Sequence, residues 1–226
     1  MSDTKKQILL GTIATAALSS AASADFIGFD GAVEEVGDYT VIKMYAVYSQ
    51  ADIALNVFNA QIETTDIGEF NHSDVQIGAG GTWAPNASLD IPGFADSSTD
   101  SFVTIGYDVG AGAPTNGTAL DPTWLDATGG LGPEVPSGAG WYNGNPGNDI
   151  VASAQAGYDY AVWVGQFSFE TSSIGSNFVF VFDCEMGSKD ANGEVFFGGD
   201  SYIYFPTPGA LALLGLGGLT TRRRRN

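Results

Sequence analysis

From residue 38 to residue 205 the chain repeats one pattern. Short runs dense in β-branched and aromatic residues alternate with joints of Gly, Asn and Asp. Side chains of this kind fit a pleated, half-buried surface, and the joints suit tight turns. The strands predicted are Tyr39 to Tyr48, Ile53 to Ile62, Ser73 to Ile77, Ser101 to Val109, Ile150 to Ala154, Tyr158 to Glu170, Asn177 to Glu185 and Glu194 to Phe205. No stretch between them keeps a helical period over three turns. Many short strands with polar joints predict an all-β fold, an antiparallel β-sandwich or jelly roll, because a lone sheet this apolar could not bury its faces.

Details of connection follow from the same pattern. Ser49-Gln50-Ala51-Asp52 is expected to be a hairpin connection, and Asn192-Gly193 is a strong hairpin-turn signal. In Asn177 to Glu185, Phe178, Phe180 and Phe182 alternate with Val179, Val181 and Asp183, so a central strand covered on both faces is expected. Two stretches break the rhythm, Gly78 to Asp100 and the Pro- and Gly-rich Gly110 to Asn148. A structureless loop of the second one's length is unusual in a compact domain, so an ordered excursion pinned by Trp124, Trp141 and Tyr142 is expected.

The two ends read differently from the body. Lys5 and Lys6 form a positive region, Ile8 to Leu18 a short apolar one, and Ala22-Ser23-Ala24 offers small residues to a signal peptidase. A signal helix over 1–24 with a mature start at Asp25 is expected. At the other end Pro206-Thr207-Pro208-Gly209 leads into the apolar run Ala210 to Leu219, and Arg222-Arg223-Arg224-Arg225 follows. A breaker, an apolar segment and a basic cluster suit a transient membrane anchor whose arginines stay cytoplasmic. From Gly209 to Thr221 a helix would be about 20 Å long, against about 30 Å of hydrocarbon, so the tail helix is marginal as a permanent span.

This tail, residues 206–226, resembles the PEP-CTERM sorting signal of bacterial surface and secreted proteins, in its planctomycete-type variant. Thr207 stands where that family has an acidic residue. The resemblance implies processing by an exosortase-type membrane protease, transient residence at the inner membrane, and delivery to the cell envelope or extracellular matrix. The sorting and processing residues it implies are Pro206, Pro208 and Arg222 to Arg225, beside Ala22 and Ala24 at the signal peptide.

Between the two ends lies one acidic domain, residues 25–205. It keeps Lys43 and Lys189 against 25 acids, a formal charge of −23. Such a surface repels nucleic acid and anionic lipid, so no nucleic-acid partner is expected. Cys184 is the single cysteine, so the domain holds together without an intrachain disulfide. Its strand context predicts a small packed thiol.

Candidate sites are few. Asp190, Asn192 and Glu194 set three oxygen-bearing side chains at alternate positions, the spacing with which loops hold calcium, although the same residues frame the Asn192-Gly193 turn. Calcium is the one cofactor this suggests. Trp83, Trp124, Trp141 and Tyr142 sit among Gly, Pro and Asn, where they serve either as loop anchors or as stacking platforms for a polysaccharide. The lone histidine, His72, is expected at the surface near a turn. Glu34 with Glu35, Asp183 with Glu185, and Glu170 are the nameable carboxylates for glycoside chemistry, and none is set apart from the rest. No nucleophile context accompanies His72, so no catalytic residues and no enzymatic activity are expected. Asn71, Asn86 and Asn116 each open a glycosylation sequon. The reading that results is an exported protein of structural or adhesive type; the alternative is a carbohydrate-binding module working through the loop aromatics.

Overall fold

The computed structural model describes residues 26–73, 83, 91, 95–106, 117–125, 132–145, 147 and 149–206. Ala22, Ala24, Pro208, Arg222, Arg223, Arg224 and Arg225, the sequons at Asn86 and Asn116, and most of the strand expected over Ser73 to Ile77 lie outside them. The described chain is mostly β-strand in two antiparallel sheets. Its helical content is two single 3₁₀ turns, Pro122–Trp124 and Thr171–Ser173. Among the described residues no helix is long and apolar enough to cross a membrane.

The first sheet orders β1 (Phe26–Val36), β2 (Tyr39–Tyr48), β9 (Tyr158–Glu170) and β4 (Phe102–Val103), with β8 (Ser153–Gln155) also paired to β9. The second orders β11 (Val195–Tyr204), β10 (Val179–Lys189), β3 (Ile53–Thr65), β6 (Ala139–Asn143) and β5 (Thr118–Leu120), with β7 (Ile150–Val151) also on β3. Their inner faces share one core. Phe29, Ile42, Met44, Phe167 and Phe169 from the first sheet meet Val57, Trp141, Phe180, Phe182 and Met186 from the second. Phe182 lies at its centre, 5.0 Å from the Phe29 ring and 5.9 Å from that of Phe167. Tyr48 crosses between the sheets to bond the Ser188 hydroxyl at 2.9 Å, and burial raises its phenol pKa.

Three turns close hairpins. Gly37-Asp38 joins β1 to β2. Ala156 and Gly157 join β8 to β9, and both hold left-handed φ (52° and 91°), which suits a two-residue hairpin in a twisted sheet. Asp190 to Glu194 joins β10 to β11, with Gly193 at φ 85°. This is the turn expected at Asn192-Gly193.

Several expectations need correction. Ser49 to Asp52 is not a hairpin: β2 and β3 belong to different sheets, so the segment crosses from one to the other. Buried Asp52 fixes the crossing through its backbone carbonyl, which accepts Ala152 N at 2.7 Å. The doubly covered strand is β9, whose residues Ala161 to Phe169 are all buried. β10 is central, but Val181 and Asp183 on its outer side are half-buried and exposed. On the outer side of β9, Trp163 and Phe102 pack with Tyr45 and Ala161 in a second, smaller cluster, and Lys43 Nζ sits 5.9 Å from the Trp163 ring centre. β1 was not expected as a strand, nor were β5 and β6 inside Gly110 to Asn148.

β1 and β11 are end strands of opposite sheets, and they lie against each other. Phe29 N donates to Asp200 Oδ2 at 2.9 Å. A Cβ on Gly31 would lie 2.6 Å from the Tyr202 ring, and one on Gly198 would lie 2.6 Å from that of Phe26. Glycine at these places lets aromatic rings of one edge rest on the backbone of the other.

Candidate functional site

Of the four loop aromatics that serve either as anchors or as stacking platforms, the structure turns the three tryptophans inward. Trp83, Trp124 and Trp141 are at most 2 % exposed. Each indole N–H donates to a backbone carbonyl: Trp83 to Gly132 O at 3.0 Å, Trp124 to Gly140 O at 2.8 Å, and Trp141 to Thr104 O and Val164 O at 3.1 and 3.0 Å. The rings form a chain, with Trp83 to Trp124 at 5.4 Å and Trp124 to Trp141 at 6.2 Å between centroids. A ring with both faces inside the core offers nothing for a sugar to stack on, so Trp83, Trp124 and Trp141 are anchors and not a glycan platform. Tyr142 points the other way along β6 and is 45 % exposed. The residue following Trp141 must face outward because side chains alternate along a strand.

At the turn Asp190 to Glu194 the oxygens are used internally. Asp190 Oδ1 accepts Asn192 N and Glu194 N, each at 2.8 Å, and Asp190 Oδ2 accepts Asn192 Nδ2 at 2.9 Å. The Asn192 amide and the Glu194 backbone bonds hold the Asp190 carboxyl below the usual carboxylate range. The spacing of Asp190, Asn192 and Glu194 is thus accounted for by the hairpin itself. Among the described residues no group of three His, Cys, Asp or Glu side chains is placed to hold a metal ion.

His72 is not a free surface residue. Its ring packs edge-on to Trp83 at 4.6 Å, Nε2 lies 3.2 Å from Pro133 O, and Nδ1 lies 3.9 Å from Asp100 Oδ1. Asp100 is buried and accepts Ser73 N at 2.8 Å. Nearby, Gln166 Nε2 donates to Ser97 O at 2.9 Å and to Asp100 O at 2.7 Å. Asn71 Nδ2 donates to Thr99 O, which commits the side chain of that sequon to the fold. These bonds tie the segments around residues 71, 100 and 133 to β9. Buried polar groups demand partners, and here they serve as staples for loops.

The carboxylates named for hydrolysis are dispersed. Glu34 pairs with Lys43. Asp183 and Glu185 stand two apart on the outer side of β10, and Glu185 Oε1 accepts Asn59 Nδ2 at 2.8 Å. Glu35 and Glu170 do meet, in a shallow dent with Gly37, Asp38, Thr171 and Ser172 at the β1–β2 turn. There Glu35 accepts the Thr40 and Thr171 hydroxyls, each at 3.0 Å, while Glu170 accepts Ser172 Oγ at 3.0 Å. Cys184 is buried, and burial followed by the neighbouring Asp183 charge pushes its thiol well above the ordinary range, so it is an inert packed side chain.

One surface was not foreseen. The outward row of β11 and its continuation is Val195, Phe197, Gly199, Ser201, Ile203 and Phe205. The four large members are all exposed, Phe197 to 64 %. Alternation along Glu194 to Phe205 carries this signal, since every second residue is apolar or small and the only acid within β11, Asp200, falls on the other face. No family model matches the chain, and neither a curated protein nor a solved structure does.

Proposed function

We propose that this chain is an exported protein of the cell envelope or extracellular matrix, structural or adhesive in role. In this reading its two sheets form an antiparallel β-sandwich carried between a removable signal helix and a removable tail helix. The observation that supports it is where the strands start and stop. β1 begins at Phe26, one residue after the expected mature start, and β11 ends at Tyr204, two residues before Pro206. Among the described residues, every strand pairing falls between those limits. Cutting after Ala24 and near Pro206 to Pro208 would break none of them. Proline also keeps its neighbourhood extended and open to a protease.

The partners in this reading are a signal peptidase, an exosortase-type protease and, transiently, the inner membrane. Intact-mass analysis of the native exported protein tests it. The expected mass is that of a chain starting at Asp25 and lacking Arg222 to Arg225. A mature form that still ends at Asn226 refutes the sorting reading and the location that rests on it.

A further inference from the structure

We propose that Tyr45 and Tyr158 form an oxidation site, at which a peroxidase-type oxidant joins the two rings by a carbon–carbon bond, with Asp30 as the proton acceptor. The proposal stands on the outer face of the first sheet and does not depend on export. Tyr45 on β2 and Tyr158 at the start of β9 lie with ring centres 6.3 Å apart and planes tilted by 45°. Contacting aromatic rings sit at such separations. Among the described residues no other two tyrosine rings are in contact. Asp30 on β1 is directly opposite Tyr45 in the ladder, so the two side chains share a face. The same carboxylate accepts the Tyr158 hydroxyl, and burial first, then this bond, push that phenol upward. One acid thus lies beside two phenols that touch each other. Tyr202 also approaches Asp30, but its ring rests on Gly31, on the inner side of β1. Tyr45 is 8 % exposed and Tyr158 half-buried, packed with Ala161, Phe102 and Trp163.

The chemistry follows from where the proton can go. A phenol that gives up an electron becomes strongly acidic, so it is oxidised most easily where a positioned base takes its proton. Asp30 is that base for Tyr158. Trp163, in the same cluster, offers its indole N–H only to the Gly165 carbonyl at 2.9 Å, a much weaker base. An electron vacancy reaching this cluster therefore settles on Tyr158. The oxidant is hydrogen peroxide acting through a haem peroxidase. When Tyr45 is oxidised in turn, the two phenoxyl radicals couple between ring carbons ortho to their oxygens. Each ring then moves its displaced ortho hydrogen to the phenoxyl oxygen and is aromatic again. Two electrons and two protons leave the pair, the protons by way of Asp30, and one hydrogen peroxide takes them up as two waters. Both rings are shielded, so they meet each other more readily than they meet another chain. The product ties β2 to β9 across about a hundred residues of sequence. A link that closes so long a loop constrains the unfolded chain, as a disulfide would.

Treating the full chain in detergent with peroxidase and hydrogen peroxide tests this, at protein concentrations low enough that chains rarely meet. The band that stays monomeric on a denaturing gel is digested at acidic residues and read by tandem mass spectrometry. The expected product joins the Tyr45 peptide to the Tyr158 peptide with the loss of two hydrogens. Tyr45→Phe and Tyr158→Phe should each abolish it, and both keep the ring and its packing. Tyr160→Phe, at an exposed position on β9, should leave the yield unchanged. Asp30→Asn keeps the side chain's shape but removes the base, and should lower the yield severalfold while the circular dichroism stays that of the parent. A monomer without this peptide pair, tyrosine links only between chains, or a yield in Asp30→Asn equal to the parent's would each overturn the proposal.

Discussion

Trp141 offers the sharpest test of whether the tryptophans are anchors. It sits on β6 of the second sheet, fully buried, and its N–H is shared between Thr104 O and Val164 O on the first sheet's side. Trp141→Phe keeps an aromatic ring but deletes that donor and leaves a small void. Val164 O keeps a second donor, Thr104 N at 3.1 Å, so the loss amounts to about one hydrogen bond, about 1 kcal/mol net. The void and the lost transfer of a smaller ring add about 1 kcal/mol more. The sum is about 2 kcal/mol, or about 4–8 °C in Tm for a domain of this size. Trp141→Ala removes the ring as well and should cost about 4–5 kcal/mol. The neighbouring Tyr142→Ala, on the exposed face of the same strand, should stay within about 0.5 kcal/mol. Scanning calorimetry measures all three without relying on tryptophan emission. If Trp141→Phe matches the parent, or Tyr142→Ala costs as much as Trp141→Ala, the anchor account fails.

Other outcomes follow from the same contacts. Gly31→Ala should destabilise by about 1–3 kcal/mol, because the new methyl meets the Tyr202 ring at 2.6 Å. Denaturant titration checks this, and combining it with Tyr202→Ala should give less than the sum of the two. Burial and then the nearby Asp30 charge push the Tyr202 phenol from 10.0 up to about 12, so the native state resists ionisation. The stability this represents is whole below pH 10 and is lost as pH rises from 10 to 12, which a melting series across that window in parent and Tyr202→Phe would register as a shallower loss in the variant. At the β10–β11 turn the Asp190 carboxyl is depressed, so its contribution is present above the ordinary carboxylate value of 3.8 and disappears as pH falls through the lower native one. Amide exchange at Asn192 and Glu194 should quicken there and in Asp190→Ala, and millimolar calcium should leave it unchanged in the parent.

The strands legible in the sequence are those whose character is local. β2, β3, β9, β10 and β11 are long runs of β-branched and aromatic residues, and the Asn192-Gly193 turn is specified by its own chemistry. β1 was hidden because its alternation is interrupted by Gly28 and Gly31, and both glycines answer to side chains on β11 almost the whole chain away. β6 was hidden for a similar reason. Its Gly140 has no room for a side chain, since a Cβ would come within 2.7 Å of Asp121 Oδ2 and 3.0 Å of Val57 O. Turn-like composition there records close packing and not a loop. The direction of the tryptophans was equally illegible, because a Gly/Pro setting suits an exposed platform and a buried anchor alike. Only the carbonyls of Gly132, Gly140, Thr104 and Val164 decide between them. The apolar row of β11 could be read from alternation, but its exposure depends on β11 being last in its sheet.

The order of the strands also sets when the molecule can fold. β2 borders β9, and β3 lies between β10 and β6, so each early strand waits for neighbours about eighty to a hundred and thirty residues further on. Contacts so distant along the chain make folding slow, because a large loop must close before the pairing rewards it. A chain delivered N-terminus first, from a ribosome or through a narrow pore, therefore shows β1, β2 and β3 with most of their partners still to come. Neither sheet can be completed until β9, β10 and β11 have followed. With a single cysteine there is no intrachain disulfide to trap a partial form, so the pace of folding is set by these long-range pairings.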